Sequence, residues 1–209
     1  MREEEKATAS RYLRRVSPCS ITPTFRHIKP YIAGNTLDIG FGTGEYLETF
    51  PPGSIGVDAS EENLRIARGK GLNAIYADIN RKLPFPDGFF RTVFCSHVIE
   101  HVDSPLNLLR EINRVLPGGG NAVLAVPIEK TLVRLVKEDY FKDHRTHLYG
   151  LSVECLDSLL EKAGFRVIDR KYNFPVLNRF HLADRVLQSI AGNYCQYFCT
   201  MYWAVARKR

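Results

Sequence analysis

Two acidic residues and a group of glycines in the first third of the chain have the types and spacing of a ligand-binding turn. Residues 37–44 read LDIGFGTG, a short apolar strand pattern that stops in a glycine-rich turn. Glycine tolerates positive φ and lets the backbone approach a ligand closely, and a helix predicted over 43–50 would direct its free N–H groups at that ligand. Asp58 ends the next strand pattern, where a carboxylate commonly accepts hydrogen bonds from a ribose diol. The pattern indicates a site for a nucleoside-containing cofactor.

The glycine spacing separates two kinds of nucleoside cofactor. Dinucleotide sites use G-x-G-x-x-G and place the pyrophosphate on the helix N-terminus. Here the spacing is G-x-G-x-G, and Asp38 stands two residues before the first glycine. A carboxylate there repels a pyrophosphate but suits an ammonium group. S-adenosylmethionine carries an adenosine, an ammonium and a sulfonium without any phosphate, so it fits better than NAD; an NAD site and a plain tight turn are the alternatives.

Four further stretches match, in order, those of a known enzyme family. Asp78 ends a third strand pattern, residues 83–88 read LPFPDG before a fourth strand, residues 97–102 read HVIEHV, and residues 109–119 read LREINRVLPGG. With these the chain resembles the class I S-adenosylmethionine-dependent methyltransferases over roughly residues 35 to 170. It is most similar to the branch that includes ubiquinone-biosynthesis-type enzymes. The resemblance implies methyl transfer to a small-molecule acceptor, with S-adenosylhomocysteine as product.

The resemblance also implies a role for each residue of the cofactor site. Asp38 and Gly40 would hold the methionyl end of the cofactor, and Asp58 would bind the ribose hydroxyls. Ser96 and His97, at the carboxyl end of the fourth strand, would line the floor where cofactor and acceptor meet, which is where open α/β sheets place their ligands. The predicted cofactor site consists of Asp38, Gly40, Phe41, Gly42, Gly44, Asp58, Ala59, Asp78, Ile79, Ser96 and His97.

Methyl transfer from a sulfonium is an in-line displacement, so much of its catalysis consists of holding the reacting atoms in line. A general base is needed only for a poor nucleophile such as a hydroxyl, and histidine suits that role because its pKa lies near neutrality. His147 lies in a loop that faces the substrate in related enzymes. His147 is therefore the predicted base, with a structural or substrate-orienting role as the alternative.

A metal-assisted reaction is a second possibility. His97, Glu100 and His101 have the i, i+3, i+4 spacing of one helix face, and His144 or His147 would complete a set of two histidines and one carboxylate. The arrangement resembles that of metal-dependent small-RNA 2′-O-methyltransferases, but those have an acid where this chain has His97. A Glu-His pair also occurs in many relatives without a metal, and the predicted site therefore contains none.

Composition narrows the class of protein. The 209 residues are 44% hydrophobic and 25% charged, as expected for one soluble domain. No apolar run approaches the roughly 20 residues of a membrane span, and the N-terminus lacks the apolar core of a signal peptide. The five cysteines, an odd number, are expected to be free thiols in a reducing cytosol. We expect a cytoplasmic monomer or homodimer that does not contact a membrane.

The net charge of +6 raises the question of nucleic acid. The basic residues are scattered apart from small groups at 11–15 and 207–209, and a modest scattered excess is more typical of a solvated surface than of a binding face. A small-molecule acceptor is therefore favoured, and RNA stays an alternative. Two further possibilities are a non-catalytic cofactor-binding scaffold and an NAD-dependent oxidoreductase.

The elements that position these residues alternate between strand and helix. Strand patterns lie near 36–40, 54–58, 73–77, 91–96 and 121–127, and helical patterns lie near 43–50, 61–70 and 105–116. Such alternation predicts a parallel sheet with helices on both faces. Pro84 and Pro86 oppose a helix before the fourth strand, so an extended crossover is expected there. A capped helix over 152–164 and a strand over 165–169 follow.

The predicted fold is α/β: a Rossmann-like, doubly wound, seven-stranded sheet that is mostly parallel, with the antiparallel last strand that the resembling family has. A single domain, 1–209, is expected. It divides into an N-terminal helical cap over 1–33 with helices at 3–16 and 23–33, and a cofactor-binding core over 34–171. An insertion over 172–196, with a helix at 180–191, is expected to form part of a substrate lid, and the last strand falls within 197–209.

Overall fold

A seven-stranded sheet forms the centre of the computed structural model, which describes residues 24–128, 147–173 and 199–209. In spatial order the strands run β3-β2-β1-β4-β5-β7-β6. β1 to β5 pair in parallel, and β7 is antiparallel to both of its neighbours. This confirms the predicted Rossmann-like sheet with an antiparallel last strand. The strands are β1 Thr36–Ile39, β2 Ile55–Asp58, β3 Ala74–Tyr76, β4 Thr92–Ser96, β5 Asn121–Pro127, β6 Phe165–Asn173 and β7 Met201–Lys208.

Both faces of the sheet are covered, as predicted. The α-helices of the described residues are α1 Phe25–Ile28, α2 Glu61–Gly69, α3 Pro105–Val115 and α4 Val153–Lys162. Successive residues of a strand point to opposite faces, so Val93 and Cys95 of β4 enter the main core with α3 and α4. Phe94, between them, packs on the other face with residues of α1. Each face of the central strands is therefore apolar.

Three serines determine where the longer helices begin. Ser60, Ser104 and Ser152 each precede a helix, and each side-chain oxygen accepts a hydrogen bond from the backbone N–H three residues later. The donor–acceptor distances are 3.3, 3.4 and 3.2 Å, respectively. Such caps satisfy N–H groups that have no partner inside the helix. The helices predicted near 61–70, 105–116 and 152–164 are confirmed within a residue or two at each end.

The helix predicted over 43–50 is wrong. Turns occupy most of this stretch, with a short 3-10 helix at Leu47–Thr49. Gly42 and Gly44 have φ of +61° and +92°, which a right-handed helix cannot contain. Pro51 disfavours helical backbone at the residue before it, and Phe50 is indeed extended. The helix predicted over 23–33 is also shorter than expected, because Ile32 is extended after a 3-10 turn at Lys29–Tyr31.

The connection between β3 and β4 is the predicted extended crossover, without a helix or strand. Arg114 of α3 holds it in place by donating to the carbonyl oxygens of Leu83 and Phe85 at 3.0 and 2.8 Å. Glu111, one turn earlier on the helix, binds the same guanidinium group through both carboxylate oxygens at 3.0 and 2.8 Å. It also accepts a hydrogen bond from the N–H of Leu83 at 2.9 Å. One ion pair thus fixes a segment that has no regular structure of its own.

The strand predicted over 165–169 continues to Asn173, two residues into the predicted insertion over 172–196. Pairing with β7 extends the strand, with an irregularity between Val167 and Asp169. The predicted helices at 3–16 and 180–191 and nearly all of the predicted lid lie outside the described residues. Within the described residues, Cys95 is buried and Cys155 is exposed, and both are free thiols. The helices within the described ranges are all too short or too polar to cross a membrane.

Candidate active site

The predicted site residues meet at one edge of the sheet. Asp38 lies in β1, Asp58 ends β2 and Ser96 ends β4. Because β1 lies between β2 and β4 and all three are parallel, their carboxyl ends lie side by side. The chain leaves β1 toward β2 on one side and returns as β4 on the other, which creates the crevice where open α/β sheets bind their ligands.

Asp38 is a buried carboxylate without enough partners. Its residue is 2% exposed, and Oδ2 has no hydrogen-bond partner among the residues described. Burial, followed by the nearby negative charges of Asp58 and Glu45, raises the pKa of Asp38 well above its usual range. An uncompensated polar atom in the interior costs free energy. A cationic group bound in the crevice would both satisfy this oxygen and favour its charged form.

Asp58 connects the glycine-rich turn to α2. Its Oδ2 accepts hydrogen bonds from the N–H of Gly42 at 3.1 Å and from the side chain of Asn63 at 3.2 Å, and Oδ1 accepts from the N–H of Ser60 at 2.8 Å. Burial raises the pKa of Asp58, although these donors oppose the rise. The backbone N–H of Ala59 contributes a further hydrogen bond, so a ligand hydroxyl would share a carboxylate oxygen with these donors. Asn63 is not among the predicted site residues, although it contacts Asp58. The sequence does show that it stands three residues after Ser60, which caps the helix.

The backbone of the glycine turn approaches its neighbours too closely for side chains. Gly40 has a φ of +68°, and a Cβ there would lie 2.3 Å from Cγ2 of Val98. Gly44 has a φ of +92°, and a Cβ there would lie 2.5 Å from Cδ1 of Leu72. Phe41, between them, is 6% exposed and packs in a small apolar cluster beneath the turn. Any contact of Phe41 with a cofactor would therefore come from its main chain.

Three further residues of the predicted cofactor site, Ala59, Asp78 and Ile79, lie around the ends of β2 and β3. Ala59 is partly exposed beside Asp58, and Ile79 is partly buried against the main core. Asp78 accepts a hydrogen bond from the N–H of Asn80 at 3.0 Å. Asn80 in turn accepts from the N–H of Asp103 at 2.8 Å. This link holds the loop after β3 against the loop that follows β4, so the two walls of the crevice are joined.

His97 has a strained backbone. With a φ of 56° it is the one non-glycine residue of the described chain at positive φ. Residues held in this region cost free energy and cluster at functional sites. Its N–H donates to the carbonyl of Ala125 at 3.0 Å, and its Nδ1 lies 3.5 Å from Oε1 of Glu100. The strain turns the chain sharply at the end of β4 and directs the imidazole toward Glu100.

Glu100, His101 and His147 form a cluster next to this turn. One ligand atom from each side chain lies within 4.8 Å of the others, and the two imidazole rings meet edge to face with centroids 4.7 Å apart. The N–H of Leu148 donates to the carbonyl of Glu100 at 2.9 Å, which holds the loop of His147 in place. His147 therefore comes close to the end of β4, as expected for an acceptor-side residue. Its role as a general base stays a prediction.

The carboxylate of Glu100 is fully buried, and neither oxygen makes a hydrogen bond of good geometry. The contact with His97 is close enough for an ion pair but is not a well-formed hydrogen bond. Burial opposes ionisation of Glu100, but the nearby His97 and the charge of His101 outweigh it, so the pKa lies below its usual value. A charged carboxylate in the interior requires a compensating cation.

Known proteins resemble this chain in both sequence and fold. A methyltransferase domain family matches residues 37–124. An uncharacterized protein of Methanocaldococcus jannaschii, MJ1123, is 31% identical over 147 residues, and the match covers 68% of each chain. The solved structure of a SAM-dependent methyltransferase from Archaeoglobus fulgidus superposes with a TM-score of 0.68 at 25% identity. That superposition covers 88% of this chain and 91% of the other.

Two further relatives are named for a methyl or carboxymethyl acceptor. A tRNA U34 carboxymethyltransferase of Desulforapulum autotrophicum is 36% identical over 85 residues, which is 40% of this chain and 26% of that protein. A malonyl-[acyl-carrier protein] O-methyltransferase of Marinomonas sp. is 30% identical over 135 residues, which is 59% of this chain and 50% of that protein. The chain thus spans half or less of the length of these two relatives.

Proposed function

The chain belongs to the S-adenosylmethionine-dependent methyltransferases, and on this premise we propose that it transfers the methyl group to a small-molecule acceptor by in-line displacement. Its cofactor is S-adenosylmethionine, which supplies an electrophilic methyl group on a sulfonium. The observation that carries the proposed site is the buried Asp38 with an unsatisfied oxygen at the crevice between β1 and β4. Of the two cationic groups on this cofactor, the ammonium is the one that can also donate a hydrogen bond to the unsatisfied oxygen.

The cofactor site follows from the contacts around Asp38. Asp58, at the end of β2, is proposed to bind a ribose hydroxyl while it keeps the N–H of Gly42 in place. Ala59, Asp78 and Ile79 are proposed to surround the adenine. Ser96 and His97, at the end of β4, are proposed to line the side from which the acceptor enters. With the cofactor held this way, catalysis consists mainly of alignment.

A small-molecule acceptor is supported by the scattered basic residues of the chain and by the likeness to the malonyl-[acyl-carrier protein] O-methyltransferase. RNA is the second candidate, favoured by the likeness to the tRNA U34 carboxymethyltransferase. The two candidates differ in their response to salt. RNA binding releases counterions and weakens steeply as salt rises, whereas binding of a small acceptor with one charge or none changes little.

Cofactor binding is the first test. The purified protein is titrated calorimetrically with S-adenosylhomocysteine, and NAD serves as the control. We expect binding of S-adenosylhomocysteine alone. Binding of NAD instead would overturn the cofactor site.

The acceptor is tested by transfer of labelled methyl groups. The protein and labelled S-adenosylmethionine are incubated with a panel of small hydroxyl, amine and carboxylate compounds, and in parallel with total tRNA at low and high salt. We expect label in small compounds. Label in tRNA alone, lost at high salt, would overturn the small-molecule proposal in favour of RNA. Cofactor binding without transfer to any acceptor would identify a non-catalytic scaffold.

A further inference from the structure

We propose that Glu100, His101 and His147 form a binding site for one divalent transition-metal ion of the zinc type. The site lies just beyond the end of β4, beside the predicted floor of the cofactor crevice. The presence of the ion does not depend on the methyl acceptor. The role of the ion toward an acceptor rests on the proposed function.

The geometry of the cluster suits an ion of this size. Zinc binds imidazole nitrogen and carboxylate oxygen at about 2.0–2.2 Å, which places two tetrahedral ligands about 3.4 Å apart. The candidate ligand atoms of Glu100, His101 and His147 lie within 4.8 Å of one another. Their side chains come from one short 3-10 helix and one loop that are joined by the hydrogen bond from Leu148. Small side-chain rotations are therefore enough to bring the three atoms onto one ion.

The state of Glu100 is a second, independent observation. This carboxylate is fully buried, and both of its oxygens lack a well-formed hydrogen bond among the described residues. Buried charges in proteins are normally paired or coordinate a metal. The imidazole of His97 approaches only to 3.5 Å, and its side chain is 40% exposed. A cation between Glu100 and the two other ligands would supply the compensation that the described residues supply only in part.

The ligand types distinguish among ions. Two imidazoles and one carboxylate suit zinc, iron(II), cobalt(II) and nickel(II), whereas magnesium and calcium prefer oxygen ligands. Three protein ligands leave a coordination position open, as in catalytic rather than structural zinc sites. His97, beside Oε1 of Glu100, would orient the carboxylate from outside the ligand set, as carboxylate-binding groups around metal sites do.

The proposal changes the predicted role of His147. A nitrogen that binds a metal ion cannot also accept a proton, so His147 would act as a ligand rather than as the base. An acceptor hydroxyl bound to the ion at its open coordination position would have a lowered pKa and would lose its proton to solvent. An alcohol or a phenol would then need no separate base. The proposal also departs from the sequence-based expectation of a site without metal.

The test uses cobalt(II), whose visible absorption reports the ligands. The full-length protein is treated with a chelator, dialysed and titrated with cobalt(II), and zinc is then added as a competitor and magnesium as a control. We expect one equivalent of cobalt(II), intense absorption typical of four or five ligands, displacement by zinc and no effect of magnesium.

Variants assign the ligands. His147→Ala and His101→Ala should each weaken cobalt(II) binding at least about tenfold, in line with the loss of a metal ligand, and His27→Ala is the matched control elsewhere on the chain. Glu100→Gln keeps the size of the buried side chain and should also lose the ion. Thermal unfolding identifies any variant that does not fold. If Glu100→Gln, at a buried position, does not fold, His147→Ala still tests the site because His147 is partly exposed.

Two outcomes would overturn the proposal of a metal site. They are the absence of cobalt(II) binding by the wild-type protein, and equal binding by wild-type protein and His147→Ala. The proposed function fails separately. Binding of S-adenosylhomocysteine and methyl transfer in the presence of chelator would remove the role of the ion in the reaction and leave the transferase function intact. Cobalt(II) binding without methyl transfer to any acceptor would remove the function and leave the ion site.

Discussion

At the scale of single residues, the candidate active site contains two carboxylates whose burial costs free energy. Asp38 and Glu100 both lie in the interior, and each has an oxygen without a partner in the described structure. Their pKa values move in opposite directions, upward for Asp38 because burial and like charges dominate, and downward for Glu100 because two histidines outweigh its burial. The proposed ligands of the two carboxylates accordingly differ: the ammonium of the cofactor at Asp38 and a metal ion at Glu100.

The raised pKa of Asp38 predicts a pH dependence of cofactor binding. An ammonium group binds the charged form of Asp38, so binding lowers the pKa of this carboxyl and releases a proton. The affinity for S-adenosylhomocysteine should therefore rise as the pH rises through the pKa of ligand-free Asp38, which lies above the usual range of an aspartate. Calorimetric titrations from about pH 5 to about pH 8 at constant salt measure this slope.

The matched variant is Asp38→Asn, which keeps the shape of the side chain and removes the titration. It should bind S-adenosylhomocysteine more weakly and lose the part of the slope that Asp38 contributes. A variant that keeps the full slope of the wild-type protein would show that another group titrates, and Asp38 would then lose its role at the ammonium.

At the scale of elements, the glycine turn offers a test with an internal control. Gly40 and Gly53 both have positive φ, +68° and +84°, so alanine strains the backbone at either position. A Cβ at Gly40 would also collide with Val98, whereas a Cβ at Gly53 meets nothing within 4 Å. We expect Gly40→Ala to lose about tenfold or more in affinity for S-adenosylhomocysteine and Gly53→Ala to bind normally. Equal losses by calorimetry would show that the close contact with Val98 does not shape the site.

The crossover between β3 and β4 provides a second element-scale prediction. Arg114 is 17% exposed and holds two carbonyl oxygens and Glu111. Arg114→Ala removes the guanidinium donor to the carbonyl of Phe85 and one of the donors to the carbonyl of Leu83 and to Glu111. The loss costs roughly 1–3 kcal/mol and lowers the melting temperature by about 2–4 °C per kcal/mol for a chain of this size. Arg110→Ala, on an exposed position of the same helix, is the control. Equal melting temperatures for the two variants, measured by calorimetry, would contradict the role of Arg114.

At the scale of the whole molecule, a ligand that binds the folded chain alone stabilises it. The crevice requires β1, β2 and β4 to be assembled, so the unfolded chain should have no affinity for the cofactor. At about 100 times the dissociation constant, S-adenosylhomocysteine should add about 2.7 kcal/mol and raise the melting temperature by about 5–10 °C. NAD at the same concentration is the control, and an equal shift with NAD would contradict the specificity of the crevice.

The sequence by itself determined the kind of fold and the position of the cofactor site. Alternating strand and helix patterns, serine caps and the G-x-G-x-G turn act over a few residues, and such local signals are legible in one chain. They predicted the alternating order of strands and helices, the extended crossover and the three longer helices correctly, whereas the antiparallel last strand was implied by the resemblance to the methyltransferases. The helix predicted over 43–50 is wrong because Gly44 has a positive φ and Phe50, before Pro51, is extended.

Only the tertiary structure decided which side chains meet. Spacing placed His97, Glu100 and His101 on one helix face, but the short 3-10 helix begins at Ile99, after the strained backbone of His97. Glu100 and His101 instead meet His147, from a loop that follows β5 in the chain, and the carboxylate becomes fully buried. Contacts between distant segments and the burial of a charge depend on how whole elements pack. No local pattern contains that information, which is why the cluster of Glu100, His101 and His147 is evident only in the folded chain.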